Sequence, residues 1–234
     1  MSLRYAKRGR LRFASHRDFA RAFERALRRA DLPVAYSGGF TPHPRISYMG
    51  AAPTGVASEA EYLELGLTRD VAPELVRDRL DAVLPEGFDI LDAVVAGEGK
   101  LVDRLTCSWW RVVVPGVAPE AFSDALETFL AADEVLVARL TKSGRKNVDV
   151  RAPVVVAEAT QRGSRPGDRD DERDSAILDL VVRHTTPTVR PDDLLSGIAA
   201  VAGLDFPEPA RATRVAQGIV RDDGTVGDPF HQER

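Results

Sequence analysis

The sequence predicts an α+β chain of two tandem ferredoxin-like units: the first runs strand–helix–strand–strand–helix–strand, the order of a split βαβ fold, and the second starts in a similar order. Three observations predict it. Segments such as residues 61–67 (EYLELGL) alternate apolar and polar residues with the period of a half-buried strand. Residues 15–30, 73–84, 119–131 and 190–202 instead space their apolar residues as a helix does. The two kinds of segment recur in a similar order on either side of residues 97–100, which read as a linker between units at 1–97 and 104–219. No repeat of the residues themselves joins the halves, so the duplication rests on element order alone.

In the first unit, residues 3–13 read as a strand, or a hairpin turning at Gly9. Ser15 is a helix N-cap, and Asp18 stands three residues on, where it returns a hydrogen bond to the cap. The helix ends near Ala30, because Asp31 and Pro33 follow and proline disfavours helical geometry in the residue before it. A turn of about 100° per residue gathers Phe19, Ala22, Phe23, Ala26, Leu27 and Ala30 on one face. Arg17, Arg21, Arg25, Arg28 and Arg29 fall on the other. Residues 34–36 and 46–50 read as short strands around a loop that two glycines and two prolines keep irregular. A small-residue loop at 51–60, the strand at 61–67, the helix at 73–84 and a strand at 88–95 complete the unit.

In the second unit, residues 107–114, 135–141, 148–159 and 176–184 read as strands, with helices at 119–131 and 190–202. Residues 162–174 (RGSRPGDRDDERD) have no apolar anchor and are expected as a disordered hairpin tip. A disordered polar tail is expected over 220–234. Trp109 and Trp110 are adjacent on a strand, so one faces the core and the other faces away.

The composition narrows the function. No apolar run reaches the roughly 18 residues of a membrane span, and the charged N-terminal segment lacks a signal-peptide core, so a cytoplasmic protein is expected. One cysteine, Cys107, excludes an intrachain disulfide and a cluster held by several thiolates of this chain. The four histidines show no ligand spacing, and neither metal nor cofactor is expected in this chain. The net charge of −4 hides an asymmetry. Residues 1–48 carry eleven Lys/Arg against three Asp/Glu, a net +8, while the remainder carries 21 against 33, a net −12. One end thus has the field of an anion binder.

Within residues 5–65, the pieces Lys7-Arg8-Gly9, Arg12-Phe13, Ser15-His16-Arg17-Asp18, Tyr36-Ser37, Gly39-Phe40, Pro42-His43-Pro44 and Glu61-Tyr62 stand in sequence. This block resembles the radical SAM-linked proteins, a bacterial family of unknown function encoded beside, or fused to, radical SAM enzymes. Weaker matches at Val148-Asp149-Val150-Arg151 and Val189-Arg190-Pro191 extend the resemblance over most of the chain. It implies a radical SAM enzyme as partner and implies no reaction for this chain. The three-cysteine motif of the partner is absent here.

Two constellations carry the functional expectation. Arginine forks suit phosphate geometry, so Arg12, Arg17, Arg21, Arg25 and Arg28, with Lys7, are candidates for an anion or RNA face. The 36–45 loop adds Tyr36, Ser37, Gly39, Phe40, His43 and Arg45, with backbone that approaches an anion closely and aromatic rings that stack on bases. The expected function is an accessory module that binds RNA or another phosphorylated substrate for a radical SAM enzyme. Two alternatives stand beside it. One is a metal-free RNA-processing or phosphate-handling enzyme using His43 or His16 as acid/base. The other is a module that docks the partner protein. Glu61 reads as a general acid/base or the partner of an arginine.

Overall fold

The computed structural model describes residues 1–141, 144–160 and 175–231. The chain divides into two compact units: Met1–Leu105 together with the described residues from Asp228 on, and Thr106–Gly227. Both are α+β. Four α-helices lie among the described residues, two in each unit.

The first unit consists of β1 (Ser2–Lys7), α1 (His16–Arg29), β2 (Ile46–Met49), β3 (Ala57–Leu65), α2 (Pro73–Asp81) and β4 (Ile90–Val94). Within it the strands lie in the order β4-β1-β3-β2, every pair antiparallel. Leu3 sits opposite Leu63 of β3 and Ala93 of β4. Residues of alternate parity point to opposite faces, which sorts the apolar side chains into two clusters. Leu3, Tyr5, Leu63 and Leu65 meet Phe19, Phe23 and Leu27 of α1 and Val76 and Leu80 of α2. Tyr5 stacks on Phe19 with centroids 4.0 Å apart, and Phe88 meets Phe19 edge-on at 5.0 Å. Each buried phenylalanine contributes about 1.5–3 kcal/mol of burial free energy. The second cluster is Met49, Ala60 and Tyr62 with Leu101, Leu105 and, part-buried, Phe230.

α1 begins where expected. Ser15 Oγ accepts from the Asp18 amide at 3.2 Å, and Asp18 accepts from the Ser15 amide at 3.0 Å. Other boundaries move. The strand expected over 3–13 stops at Lys7, and Gly9–Phe13 forms a 3-10 helix instead of a hairpin arm. The strand expected at 34–36 is reduced to single bridges, Val34 to Leu67 and Tyr36 to Pro44. The first unit also continues past the expected linker. A 3-10 helix, Leu101–Arg104, carries the chain on to Leu105 and brings Leu101 onto Tyr62.

The second unit consists of β5 (Cys107–Pro115), α3 (Pro119–Ala131), β6 (Leu136–Thr141), β7 (Gly144–Asp149), β8 (Val154–Thr160), β9 (Ser175–Arg183), α4 (Pro191–Ala202) and β10 (Arg211–Gly218). Its strand order is β10-β5-β9-β8, again antiparallel throughout, with β6 and β7 paired as a separate hairpin. The single strand expected over 148–159 is two strands, because the chain turns between Val150 and Pro153. Arg139 of β6 forks onto Asp193 of α4 and donates to the Thr188 carbonyl at 2.9 Å, which fixes the hairpin to that helix. β10 has no counterpart among the strands expected from the sequence.

Residues 220–231 are not an unstructured tail. Val220 bridges Val226, Asp223 accepts from the Thr225 amide at 2.9 Å, and Phe230 meets Tyr62 edge-on at 5.4 Å. Three apolar side chains, Val220, Val226 and Phe230, give this segment the anchors that its polar composition conceals. The hairpin tip expected at 162–174 lies outside the described residues, as do residues 232–234.

Candidate functional site

α1 is built for two surfaces. Phe19, Phe23, Ala26 and Leu27 are buried, and the 3.6-residue period then sends Arg17, Arg21, Arg25, Arg28 and Arg29 outward. All five are exposed. Among the described residues none of the five forms an ion pair, although several other arginines of the chain do. Arg8 forks onto Glu59, with Nε at 2.7 Å, and pairs with Asp89 at 2.8 Å. Arg111 pairs with Asp179 at 2.9 Å, and Arg139 pairs with Asp193. The α1 stripe is thus not tied up in ion pairs of that kind. Beside it, Arg25 and Arg29 line a cleft of about 370 Å³ with Ala22, Ala26, Val83, Leu84 and Pro85.

The 36–45 loop is a closed protrusion. Tyr36 bridges Pro44, the Ser37 amide donates to the His43 carbonyl at 2.8 Å, and Ser37 Oγ accepts from the His43 amide at 3.0 Å. Gly39 takes φ +106°, a conformation other residues rarely adopt. Beyond this closure Phe40 is fully exposed, and Tyr36, His43 and Arg45 are exposed too. Exposing a whole phenylalanine forgoes the burial free energy that the core phenylalanines gain. Phe40 is not the core side chain that an apolar loop residue usually becomes.

Lys7 does not belong to the basic surface. It is 6% exposed, and its ammonium donates to the carbonyls of Pro53 at 3.1 Å and Ala52 at 3.4 Å. Strand alternation explains it: the residue ends β1, and its side chain turns under the 51–56 loop. Glu61 is buried beneath the same loop and accepts from the Ala52 amide at 3.0 Å. Arg12 lies in the 3-10 helix, with its guanidinium over the Phe13 ring at 4.7 Å. The candidate residues therefore fall into three places: the α1 stripe, the 36–45 loop, and the segment around residues 7–13.

The two histidines proposed for acid/base work stand apart from such a constellation. Among the described residues neither imidazole has a hydrogen-bond or ion-pair partner. His16 meets Tyr48 edge-on at 4.8 Å and lines a cavity of only about 10 Å³ with Ser15, Tyr5, Lys7 and Glu61. That is barely room for one water. Burial raises the Tyr48 phenol above its ordinary range, and among the described residues its hydroxyl has no hydrogen-bond partner. Burial likewise pushes the Cys107 thiol up to about 11, which makes it an inert core residue.

These features define an α+β protein with a bare cationic helix face and an exposed aromatic loop. The chain belongs to a conserved bacterial family described as an uncharacterized protein conserved in bacteria (DUF2344), whose model matches residues 1–191. No curated protein matches it. No helix among the described residues is long and apolar enough to cross a membrane.

Proposed function

We propose that this chain is a non-catalytic accessory module of a radical SAM system in the bacterial cytoplasm, and that it binds RNA or another phosphorylated substrate through α1 and the 36–45 loop. Both units are read as ferredoxin-like. The support is the order β4-β1-β3-β2 in the first and β10-β5-β9-β8 in the second, with the β6–β7 hairpin inserted after α3. The radical SAM partner rests on the resemblance of residues 5–65.

One observation carries the ligand class: five exposed arginines on one helix face with no ion pair among the described residues, in a protein that pairs Arg8, Arg111 and Arg139. Five guanidinium forks side by side, with Asp18 acting on Arg17 and Arg21, repel one another, and a polyanion relieves that repulsion. Phe40 and Tyr36 supply the stacking surfaces that single-stranded RNA uses.

The test is affinity for total cellular RNA at two salt concentrations, for the wild-type chain and for Arg17/Arg21/Arg25/Arg28→Glu. Four phosphate contacts on a single strand predict a loss of about 50-fold between 50 and 200 mM salt. The variant is expected to lose both the affinity and the salt slope. A wild-type chain that fails to bind RNA at the lower salt, or a variant that binds equally well, overturns the proposal.

A further inference from the structure

The second unit holds a cavity of about 370 Å³ lined by Trp109 and Arg111 of β5, Glu158 and Thr160 of β8, Asp179 and Val181 of β9, and the turn at Asp223–Val226. That volume lies in the range of small-molecule sites. Its floor is rigid. Asp179, largely buried, accepts from Arg111 Nη2 at 2.9 Å, from Arg111 Nε at 3.2 Å and from Trp109 Nε1 at 3.3 Å. This network orients the indole and the guanidinium before any ligand arrives, so little ordering is left for binding to accomplish.

The sign of the cavity is opposite to that of α1. Arg111 and Asp179 cancel, which leaves Glu158 and Asp223 as the other charges of the lining, with Arg221 acting on Asp223 from outside it. Glu158 is exposed and has no hydrogen-bond or ion-pair partner among the described residues. Asp223 accepts from the Thr225 hydroxyl at 2.6 Å and from its amide, bonds that hold its carboxyl below the usual carboxylate range. The remaining wall is Val156, Leu180, Val181, Val226 and the indole. An apolar wall with two carboxylates disfavours phosphates and neutral polar solutes alike, and it suits a cation carried on an apolar body.

We propose that this cavity binds an organic cation, an ammonium or guanidinium group attached to an aromatic or aliphatic body, with Glu158 and Asp223 facing the charge and Trp109 contacting the body. The cation comes either from a free amine or from a lysine or arginine side chain of a peptide.

The experiment uses the full chain labelled with nitrogen-15. Its two tryptophans give two indole N–H signals, and Trp109→Phe identifies which is which. Phenethylamine, 2-phenylethanol and phenylacetate share one body and differ in charge. Phenethylamine is expected to displace the Trp109 signal saturably, the alcohol at least about fivefold more weakly, and the acid not at all. Glu158→Gln combined with Asp223→Asn, both at exposed positions, is expected to weaken the amine about tenfold while the rest of the spectrum stays in place. Acetyl-Phe-Lys-amide tests the peptide source. If it binds tighter than phenethylamine, a peptide side chain is the ligand; if weaker, a free amine is. Equal binding of amine and alcohol, no saturable displacement by either cation, or a double variant that binds like wild type overturns the proposal.

Discussion

The Lys7 ammonium and the Arg21 guanidinium are fourteen residues apart in sequence and do different work. Lys7 holds the 51–56 loop from below, through the carbonyls of Ala52 and Pro53. Arg21 touches no carboxylate within ion-pair distance among the described residues. Lys7→Met removes the donor and keeps the apolar stem, leaving the Ala52 carbonyl short of a partner. It is expected to cost about 1–3 kcal/mol of stability, read as a fall in melting temperature of roughly 2–10 °C. RNA affinity measured on the folded variant is expected to stay at the wild-type value. A variant that keeps its stability but loses RNA binding would place Lys7 back on the surface. Composition cannot separate these two cations, because both lie in the same basic stretch. Only the end of β1 at Lys7, set by its pairing with β3, turns one of them inward.

At the scale of elements, legibility follows the apolar signal. α1 could be read to within a residue, because Ser15 and Asp18 mark its start and the apolar stripe its inner face. Ser15→Ala is expected to destabilise the helix by about 0.5–2 kcal/mol at neutral pH. The side-chain and backbone bonds from Ser15 hold the Asp18 carboxyl below its ordinary value of 3.8. A lowered folded value means that this contribution is complete above 3.8 and disappears as pH falls through the lowered value. Thermal melts of wild type and Ser15→Ala should therefore converge on acidification, and a gap that stays constant to the lowest pH would show that the carboxylate has no part in the cap. β10 was illegible for the opposite reason. Arg211–Gly218 offers one large apolar residue, Val215, and buries Arg214 and Gln217 instead. The Arg214 guanidinium lies 5.5 Å from the Trp110 ring centroid, a polar strand held by an aromatic neighbour that no alternation rule detects. The break at Pro153 could have been seen, since a proline inside a supposed strand argues against it. The 36–45 loop was legible as irregular from its glycines and prolines, yet its closure by Ser37 and His43 needed coordinates. The cavity around Asp179 was not legible at all, since its residues come from four separate segments.

At the scale of the whole molecule, charge and chain path decide what is independent. The +8 of residues 1–48 sits in one unit, and the Glu158 and Asp223 carboxylates of the 370 Å³ cavity sit in the other. The two proposed sites, of opposite sign, thus lie in different units. Chain path opposes complete independence. The first unit owns residues 1–105 and also the described residues from Asp228 on, so the chain returns to it after finishing the second. What returns is Phe230, packed on the cluster of Tyr62, Met49, Ala60, Leu101 and Leu105. Phe230→Ala uncovers part of that cluster and is expected to cost about 1–2 kcal/mol. The loss should be local: amide exchange is expected to accelerate at Tyr62 and Leu101, while β9 keeps its protection. Stopping the chain after Gly227 should reproduce the same pattern, because the contact is lost either way. If exchange accelerates equally in β9, the two units unfold as one, and the segment from Asp228 is a clasp on the whole protein and not on the first unit alone.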